Sequence, residues 1–309
     1  MKPIVLVLTG PTAVGKTELS CSLARRLGGE IVSADSVQIY QSLDIGSAKP
    51  SLQVRQEIPH HLIDRLSLAE SFDVVAFYRE AHQTCHDILA RGNQPIVVGG
   101  SGFYLDTFLN GLPKGPPPNP SLRLHLKKEL QERGASQLYR ELAEQDPLYA
   151  ATLSPNDHKK LLRALEIYRS TGHPPSHFAG RKPRTRTYDL RTFVLHRPRS
   201  SLYARIDQRC LSMLEQGFLD EVRALQRGGF SLDSPASKAI GYRQALLSLT
   251  EETEEEEANF LATFQKVSRH YAKRQLTWLR KKFPPSQWLD IEQLGVTTCE
   301  EKILHALDI

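Results

Sequence analysis

Residues 4–17 read IVLVLTGPTAVGKT, and they indicate the architecture of the first part of the chain. Residues 4–8 are wholly apolar and rich in β-branched side chains, which is typical of a strand covered on both faces. Residues 10–17 match the pattern Gly-x4-Gly-Lys-Ser/Thr, in which backbone N–H groups hold phosphate oxygens, the lysine supplies a positive charge and the hydroxyl can reach a magnesium ion. We predict a strand, a phosphate-binding loop and a helix in that order. The loop consists of Gly10, Pro11, Thr12, Ala13, Val14, Gly15, Lys16 and Thr17.

Two further strand-like runs follow the loop, at residues 30–35 and 94–100. Each comes after a segment with helical periodicity, at 18–27 and 72–91. Alternating strands and helices are typical of a parallel sheet that binds its ligands at the carboxyl ends of its strands. We therefore predict an α/β fold: a doubly wound parallel sheet of the P-loop kind with a helical insertion domain.

A proline-rich segment at residues 113–120 marks a change in composition and predicts a boundary. Residues 121–172 have the pattern of amphipathic helices, and residues 188–195 alternate as a strand that could rejoin the sheet. The helical segment would then be an insertion. The predicted limits are 1–115 for the first part of the catalytic core, 116–185 for the helical insertion domain and 186–309 for the second part of the core, with helices at 201–227, 237–249 and 254–282.

The composition is that of a folded globular protein. Of the 309 residues, 40% are hydrophobic and 24% charged, which excludes disordered, collagen-like and coiled-coil classes. The early apolar run at 4–8 is far shorter than the roughly 20 residues of a membrane-spanning helix, so we expect a cytoplasmic protein without a membrane partner. We also expect a monomer. Disulfides and structural zinc are not expected, because the four cysteines are widely separated.

Positive charge is concentrated in two tracts. Lys and Arg together exceed Asp and Glu by 5, and residues 181–209 hold nine bases against two acids. Residues 266–282 hold seven bases and no acid, whereas acids are gathered at 251–257. Such tracts favour an anionic partner such as nucleic acid. On charge alone, a helix face that is merely solvated explains the second tract equally well.

Polar side chains follow the second predicted strand, and a Gly-rich turn follows the third. Asp35 lies at the ligand edge of the sheet, where it could be a general base, a magnesium ligand or the cap of the next turn. Residues 35–40 carry amide, hydroxyl and phenol groups that suit the edge of a nucleobase, although a plain surface turn fits them equally well. Residues 99–104 allow close approach of the backbone to a ligand. For the pair His60-His61, a packed or hydrogen-bonded role is favoured over metal binding, since no third ligand is near.

Seven blocks of sequence together carry a family resemblance. They lie at 10–17, 33–40, 44–50, 59–64, 98–102, 241–244 and 273–280. With these blocks the chain resembles the tRNA dimethylallyltransferases, also called tRNA isopentenyltransferases, along essentially its whole length. Two departures are small: Ser101 stands where many relatives have threonine, and the position of Val14 is often serine.

The resemblance implies a reaction and a set of catalytic residues. A dimethylallyl group would pass from dimethylallyl diphosphate to N6 of the adenosine 3′-adjacent to the anticodon in tRNA, and diphosphate would be released. The phosphate loop would hold this diphosphate, because it recognises oxyanions in general. The implied catalytic residues are Lys16 and Thr17 in the loop, Asp35 as general base and Arg209 as a further diphosphate clamp. The implied cofactor is Mg²⁺, with Thr17 as its ligand.

The resemblance also implies which residues contact the anticodon stem-loop of tRNA. The target adenine must leave its stack to reach a buried site, so we expect it to be flipped and held by residues 35–38 and Ser101. The helical insertion domain would cover the stem-loop. The implied tRNA-binding residues are Asp35, Ser36, Val37, Gln38, Ser101, Arg123, Lys159, Lys160, Leu161, Leu162, Arg163, Lys238, Ala239, Ile240, Gly241, Tyr242, Arg243, Lys273, Arg274, Gln275, Leu276, Thr277, Trp278, Leu279 and Arg280.

Two other classes of protein fit part of the pattern. A P-loop kinase of nucleosides or metabolites would use the same loop and helical insertion, with Asp35 as the base for a hydroxyl, but the clustered bases exceed what a small substrate needs. A non-enzymatic RNA-binding module has no use for Gly15, Lys16 and Thr17. The prenyl transferase is therefore the function that the sequence predicts.

Overall fold

The computed structural model describes residues 2–154, 156–181, 187–248 and 254–307. Part of the first basic tract, at 182–186, lies outside these ranges, as do residue 249 of a predicted helix and residues 251–253 of the acidic cluster. The chain forms two compact units: Met1–Leu109 with Arg186–Ile309, and Asn110–Thr185. The predicted domain limits of 116 and 185 stay a prediction.

The first unit is built on a six-stranded sheet in which every described strand pair is parallel. The strand order is β3-β2-β4-β1-β5-β6, so β1 lies in the interior of the sheet. This confirms the predicted α/β class with a parallel sheet. The strands are β1 (Ile4–Thr9), β2 (Gly29–Ser33), β3 (His60–His61), β4 (Gln94–Gly99), β5 (Asp189–His196) and β6 (Trp288–Asp290).

Thirteen α-helices lie in the described ranges. In chain order they are α1 (Lys16–Leu27), α2 (Leu52–Glu57), α3 (Val74–Ala90), α4 (Gly102–Asn110), α5 (Pro120–Arg133), α6 (Ala135–Gln145), α7 (Pro147–Ala150), α8 (His158–Thr171), α9 (Arg199–Glu215), α10 (Phe218–Arg227), α11 (Tyr242–Ser248), α12 (Glu254–Lys282) and α13 (Ile291–Ala306). None of the helices in the described ranges is both long and apolar enough to cross a membrane.

The sheet buries the apolar run that opens the sequence. Val5, Leu6, Val7 and Leu8 of β1 are completely buried, because helices cover both faces of a parallel sheet of this kind. In register, Leu6 lies opposite Ile96 of β4 on one side, and β5 pairs on the other. Truncating one of these side chains to alanine typically costs about 2–5 kcal/mol.

Two short strands were not predicted, and two predicted helical segments have other limits, for local reasons. Strands β3 and β6 span two and three residues, too few to show a period-2 pattern. The helix predicted at 201–227 is two helices, because Gly217 has a left-handed φ of 89° where α10 begins. The helix predicted at 237–249 begins as an α-helix only at Tyr242, since Gly241 also has a left-handed φ, of 90°.

The second unit has a core of its own. Leucines of α5, α6 and α8 meet in it, among them Leu126, Leu138 and Leu165, all completely buried. Glu166 of α8 is also fully buried, and it accepts hydrogen bonds from the Asn119 backbone N–H and from Arg123. Burial by itself would raise the pKa of Glu166, but these hydrogen bonds lower it. A paired carboxylate therefore joins the first helix of this unit to the last.

Candidate active site

The phosphate loop joins β1 to α1 and takes its shape from two glycines. Gly15 precedes the first residue of α1 with φ 113°, a conformation that residues with side chains rarely adopt. A Cβ on Gly10 would lie 2.7 Å from the Leu195 carbonyl oxygen of β5, so only glycine fits beside that strand. The loop therefore reaches the helix N-terminus, where N–H groups without intrahelical partners can bind an anion.

Side chains from distant parts of the chain hold the loop backbone. Arg205 Nε donates to the Ala13 carbonyl at 3.0 Å, and Arg197 Nε donates to the Val14 carbonyl at 2.9 Å. Lys16 Nζ donates to the carbonyls of Gly10 at 2.9 Å and of the next residue at 2.7 Å. In the sequence these two arginines stand out only as members of a basic tract, and no signal there assigns them to the loop.

Charge at the loop is positive and partly desolvated. The pKa of Lys16 is lowered to about 7, mainly by burial and also by nearby Arg209, while Asp35 acts in the opposite direction. Burial also lowers the pKa of Arg209, whose Nη1 lies 3.4 Å from the Thr12 hydroxyl. Two neighbouring cations that are largely shielded from solvent favour the binding of an anion next to them. The structure thus brings the predicted Arg209 to the predicted loop.

Asp35 follows β2 and shares one cavity with the loop. Its Oδ1 accepts hydrogen bonds from the N–H groups of Val37 at 2.8 Å and Gln38 at 3.4 Å, so the carboxylate caps the turn. In the part of the chain that the structure describes, Oδ2 has no hydrogen-bond partner. The capping role is therefore present, and it leaves one oxygen for chemistry.

The cavity lies at the carboxyl ends of β2 and β4. It holds about 420 Å³ of empty space, part of it open to solvent, and its walls include Lys16, Thr17, Asp35, Gln38 and His60. The Gln38 amide is already engaged, since its Oε1 accepts from the Ser33 hydroxyl at 3.1 Å and its Nε2 donates to carbonyls of the loop at 47–48.

The Gly-rich turn after β4 lies next to the turn after β2 that carries Asp35 and Ser36. A Cβ on Gly99 would lie 2.2 Å from the Ala34 carbonyl oxygen, so glycine lets the ends of β2 and β4 approach. The Ser101 hydroxyl accepts a hydrogen bond from the Ser36 N–H at 3.3 Å. The two turns that sequence reasoning singled out therefore meet, and both face the phosphate loop across the sheet edge.

Two buried clusters support the turn at 35–40, and sequence reasoning missed the first. Glu221 of α10 accepts hydrogen bonds from the Ile45 N–H at 2.8 Å and from the Tyr242 hydroxyl at 2.6 Å. The ammonium group of Lys49, almost completely buried, donates to the Tyr40 carbonyl at 2.7 Å and to Asp64. The blocks at 44–50, 59–64 and 241–244 thus form a scaffold beneath the site.

The histidine pair is hydrogen-bonded, which is one of the roles that the sequence favoured; His60 Nδ1 lies 2.7 Å from the Ile58 carbonyl oxygen. His61 Nε2 lies 2.6 Å from a carboxylate oxygen of Glu30, and Arg91 pairs with the same carboxylate at 2.8 Å. Burial by itself would raise the pKa of Glu30, yet these hydrogen bonds lower it to about 2. In the described ranges no three His, Cys, Asp or Glu residues are grouped so that they could hold a metal ion.

Of the residues implied to contact tRNA, many have side chains that cannot reach solvent. Helices expose one face only, so a continuous run of helical residues cannot all face a partner. The residues with buried side chains or, for glycine, a buried position are Leu161, Leu162, Ala239, Gly241, Tyr242, Gln275, Leu276 and Leu279. Those that are exposed are Ser36, Lys159, Lys160, Lys238, Arg243, Lys273, Arg274, Thr277 and Arg280. The partly buried ones are Asp35, Val37, Gln38, Ser101, Arg123, Arg163, Ile240 and Trp278.

In the second unit, acids of the same unit engage several of the implied bases. Arg123 and Arg163 both pair with the buried Glu166, the latter at 3.0 Å. Lys160 pairs with Asp157 at 2.8 Å. These pairs stabilise the unit itself, which leaves the exposed Lys159 as its clearest candidate for a phosphate contact.

Comparisons with known proteins identify the family of the chain. The family model described as IPP transferase matches residues 38–282. The tRNA dimethylallyltransferase of Protochlamydia amoebophila is 48% identical over 295 residues, which cover 94% of this chain and 85% of that protein. The tRNA dimethylallyltransferase of Chlamydia trachomatis serovar D is 45% identical over 301 residues, which cover 96% of this chain and 94% of that protein.

Solved structures show the same likeness along the whole chain. The crystal structure of tRNA delta(2)-isopentenylpyrophosphate transferase from Staphylococcus epidermidis has a TM-score of 0.71 and 34% identity, and covers 99% of both chains. A eukaryotic dimethylallyltransferase, described as acting on tRNA, has a TM-score of 0.80 and 30% identity, and covers 99% of this chain and 79% of that chain. The chain therefore belongs to the IPP transferase family of prenyl-transferring enzymes.

Proposed function

We propose that the chain transfers a dimethylallyl group from dimethylallyl diphosphate to N6 of the adenosine 3′-adjacent to the anticodon in tRNA, and releases diphosphate. One observation carries the proposal: Lys16, Thr17 and Asp35 line the same cavity, so an anion site and a carboxylate face a shared space. The names of the relatives support the same reaction, since they are called tRNA dimethylallyltransferases.

The phosphate loop binds the diphosphate of the prenyl donor. When the allylic C–O bond breaks, negative charge grows on the leaving oxygen, and Lys16, Arg209 and the loop N–H groups stabilise that charge more in the transition state than in the ground state. Burial and the nearby Arg209 lower the pKa of Lys16 to about 7. A bound diphosphate raises this pKa again, because an anion favours the charged form of a neighbouring ammonium group.

The residues present fit a magnesium ion that arrives with the substrate. Mg²⁺ prefers oxygen ligands, keeps several waters and is usually held by one or two carboxylates together with substrate phosphates. The exposed Thr17 hydroxyl at the start of α1 supplies such an oxygen in the cavity that Asp35 also lines. The Thr17 hydroxyl would hold the ion, which when bound would offset charge on the diphosphate.

Asp35 takes the proton that the adenine amino group loses. The bond from N6 to the prenyl carbon forms while the bond from that carbon to the diphosphate oxygen breaks, and the N6 proton passes to Oδ2. Oδ1 keeps its hydrogen bonds to Val37 and Gln38, which orient the carboxylate throughout. A positioned base of this kind contributes about 10²–10⁴-fold to the rate.

Exposed bases of the first unit bind the tRNA backbone. Five of them have no ion-pair partner among the described residues, namely Lys238, Arg243, Lys273, Arg274 and Arg280. The Arg274 guanidinium lies 5.8 Å from the centre of the Tyr271 ring and is held there by a cation–π contact. The target adenine flips out of its stack and is held at the turns of Ser36 and Ser101.

The helical unit takes part in tRNA binding through its exposed bases. The electrostatic attraction between bases and phosphates does not depend on sequence, so a unit that covers the anticodon stem-loop needs only a few such contacts. Lys159 is the one we assign there. We propose the cytoplasm, where tRNA is used in translation, as its compartment, and a monomer as its working form, because no step of the reaction requires a second copy of the chain.

Mass analysis of bulk tRNA tests the proposal. The protein is incubated with tRNA, magnesium and either dimethylallyl diphosphate or ATP, with Asp35→Asn as a matched inactive control. We expect an added dimethylallyl group on adenosine next to the anticodon only with dimethylallyl diphosphate and only with the unsubstituted protein. Unmodified tRNA, together with phosphoryl transfer from ATP to a small molecule, would show a kinase instead.

A further inference from the structure

The inner face of α12 follows the Gly-rich turn after β4. The Gln275 Nε2 donates to the Gly100 carbonyl at 2.9 Å. One turn of helix earlier, the Tyr271 side chain contacts Ser101, and burial together with the nearby Asp35 charge raises the pKa of its hydroxyl to about 12. One turn later, the Trp278 ring packs against Gly102, where a Cβ would lie only 2.8 Å from it.

The same Gln275 side chain also reaches the phosphate loop. Its Oε1 accepts a hydrogen bond from the Thr12 N–H at 2.9 Å, so its two polar atoms bridge the two loops that follow the adjacent strands β1 and β4. The residue is only 7% exposed. A Cβ on Gly100 would lie 2.4 Å from Gln275 Nε2, so glycine at that position makes room for the amide.

Packing of the helix does not explain this amide. Ala272, Leu276 and Leu279 of α12 are already buried, and an apolar side chain in place of Gln275 would extend the same face. Two partly buried hydrogen-bonding groups of the backbone, the Thr12 N–H and the Gly100 carbonyl, would then lose their partner, which is the cost that the glutamine prevents. Its polar atoms therefore serve the two loops rather than the helix.

We propose that Gln275 is a positioning residue, which holds the phosphate loop and the adenine-side turn at a fixed distance from each other. The proposal rests on the proposed function: the loop carries the leaving group, and the turn at 99–101 lies on the side of the nucleophile. Gln275 itself touches neither substrate. Because Lys273 and Arg274 lie on the exposed side of the same helix, one rigid element joins the tRNA surface to the geometry of the reaction.

Gln275→Met tests the proposal, with Gln265→Met as matched control. Methionine keeps much of the volume and loses both hydrogen bonds. Gln265 lies on the same helix and also donates to a backbone carbonyl, that of Asp207 at 3.2 Å, but it does not contact the loop or the turn. Three quantities are measured for each variant: the Kd for inorganic diphosphate, the Kd for tRNA, and the single-turnover rate with both substrates saturating.

For Gln275→Met we expect the Kd for diphosphate to rise about 10-fold, as the loss of one or two net hydrogen bonds predicts. The saturated rate should fall about 10²-fold, since a misplacement of 1 Å costs that much, and the Kd for tRNA should not change. Gln265→Met should keep all three values. If Gln275→Met lowers only the melting temperature and keeps the diphosphate Kd and the saturated rate, the amide is merely structural and the proposal is wrong.

A second variant covers the case in which Gln275→Met does not fold. Gln275→Asn keeps the polar group but is one methylene too short to reach both loops, so it should show the same two losses, and wild-type values would overturn the proposal. If the unsubstituted protein does not prenylate tRNA, the proposed function fails by itself. The diphosphate Kd of the variants then decides the role of Gln275 alone.

Discussion

Replacing Asp35 by asparagine removes one proton-accepting oxygen and leaves the surrounding structure in place. The asparagine carbonyl can still accept the N–H groups of Val37 and Gln38, at 2.8 and 3.4 Å in the parent structure. A net neutral hydrogen bond contributes about 0.5–1.5 kcal/mol, and a charged acceptor roughly doubles it. The loss of charge should therefore lower the free energy of unfolding by about 1.5 kcal/mol or less.

The effect on the rate should be much larger. Without a carboxylate the N6 proton has no acceptor, and the expected loss of 10²–10⁴-fold corresponds to about 2.7–5.5 kcal/mol of barrier. The single-turnover rate of prenyl transfer, with tRNA and dimethylallyl diphosphate saturating, measures it. Asp73→Asn is the matched control, because Asp73 caps α3 through Oδ1 in the same way, at 2.9 Å and 2.8 Å, and does not line the cavity.

Binding of inorganic diphosphate distinguishes the base from a metal ligand. Asp35 raises the pKa values of Lys16 and Arg209, so its removal lowers both, but it also removes a negative charge that repels a bound diphosphate. Diphosphate affinity, measured by calorimetry in magnesium, should then be unchanged or higher. A rate within tenfold of the parent would refute the role as base, and a loss of magnesium-dependent diphosphate binding would assign Asp35 to the metal instead.

Three further substitutions probe the loop, the basic helix and the scaffold. Lys16→Ala should raise the barrier by about 2.7–4 kcal/mol. In the parent protein, diphosphate affinity should fall as pH rises above the Lys16 pKa of about 7, because the ammonium group loses its proton there. Lys16→Ala should flatten this pH dependence. Calorimetry from pH 6 to 9 checks this, and equal slopes for the two proteins would contradict it. Replacing Lys273, Arg274 and Arg280 by glutamine should reduce the slope of log Kd for tRNA against log salt by up to about two to three, since each duplex phosphate contact contributes about 0.9. Filter-binding titrations measure this slope. An unchanged slope in the folded variant would mean that these bases form only a solvated face. Tyr242→Phe removes a hydrogen bond to a carboxylate and should lower the free energy of unfolding in urea by about 1.5–3 kcal/mol, whereas a loss below 0.5 kcal/mol would show that the hydroxyl does not support the loop at 44–50.

Local patterns predict the parts of this molecule that local chemistry determines. The phosphate loop and β1 could be predicted because an apolar run followed by glycines at fixed spacing has few other uses. Strand β3 could not, since two histidines give no periodicity. Short elements are therefore predicted less sharply from sequence than long ones.

The site is predictable only in part, because long-range contacts complete it. Arg197, Arg205 and Glu221 are ordinary charged residues in the sequence, and only folding brings them to backbone groups far away along the chain. Gln275 illustrates the opposite error, since its charged neighbours suggest a surface that its own side chain does not share. Membership of a family block indicates that a residue is important. The direction in which its side chain leaves the helix decides which role it has.

The position of β5 affects how the enzyme is made on the ribosome. β1 pairs with β4 on one side and with β5 on the other, and β5 comes only after the whole helical unit in the chain. During synthesis, β1 therefore waits with one edge open until residue 196 has emerged, and an open apolar edge is a template for wrong pairing. The loop waits longer still, for Arg205 and Gln275. A nascent chain that stops before α12 would thus lack the Gln275 contact that joins the two active-site loops. The substrate site is therefore completed only late in synthesis.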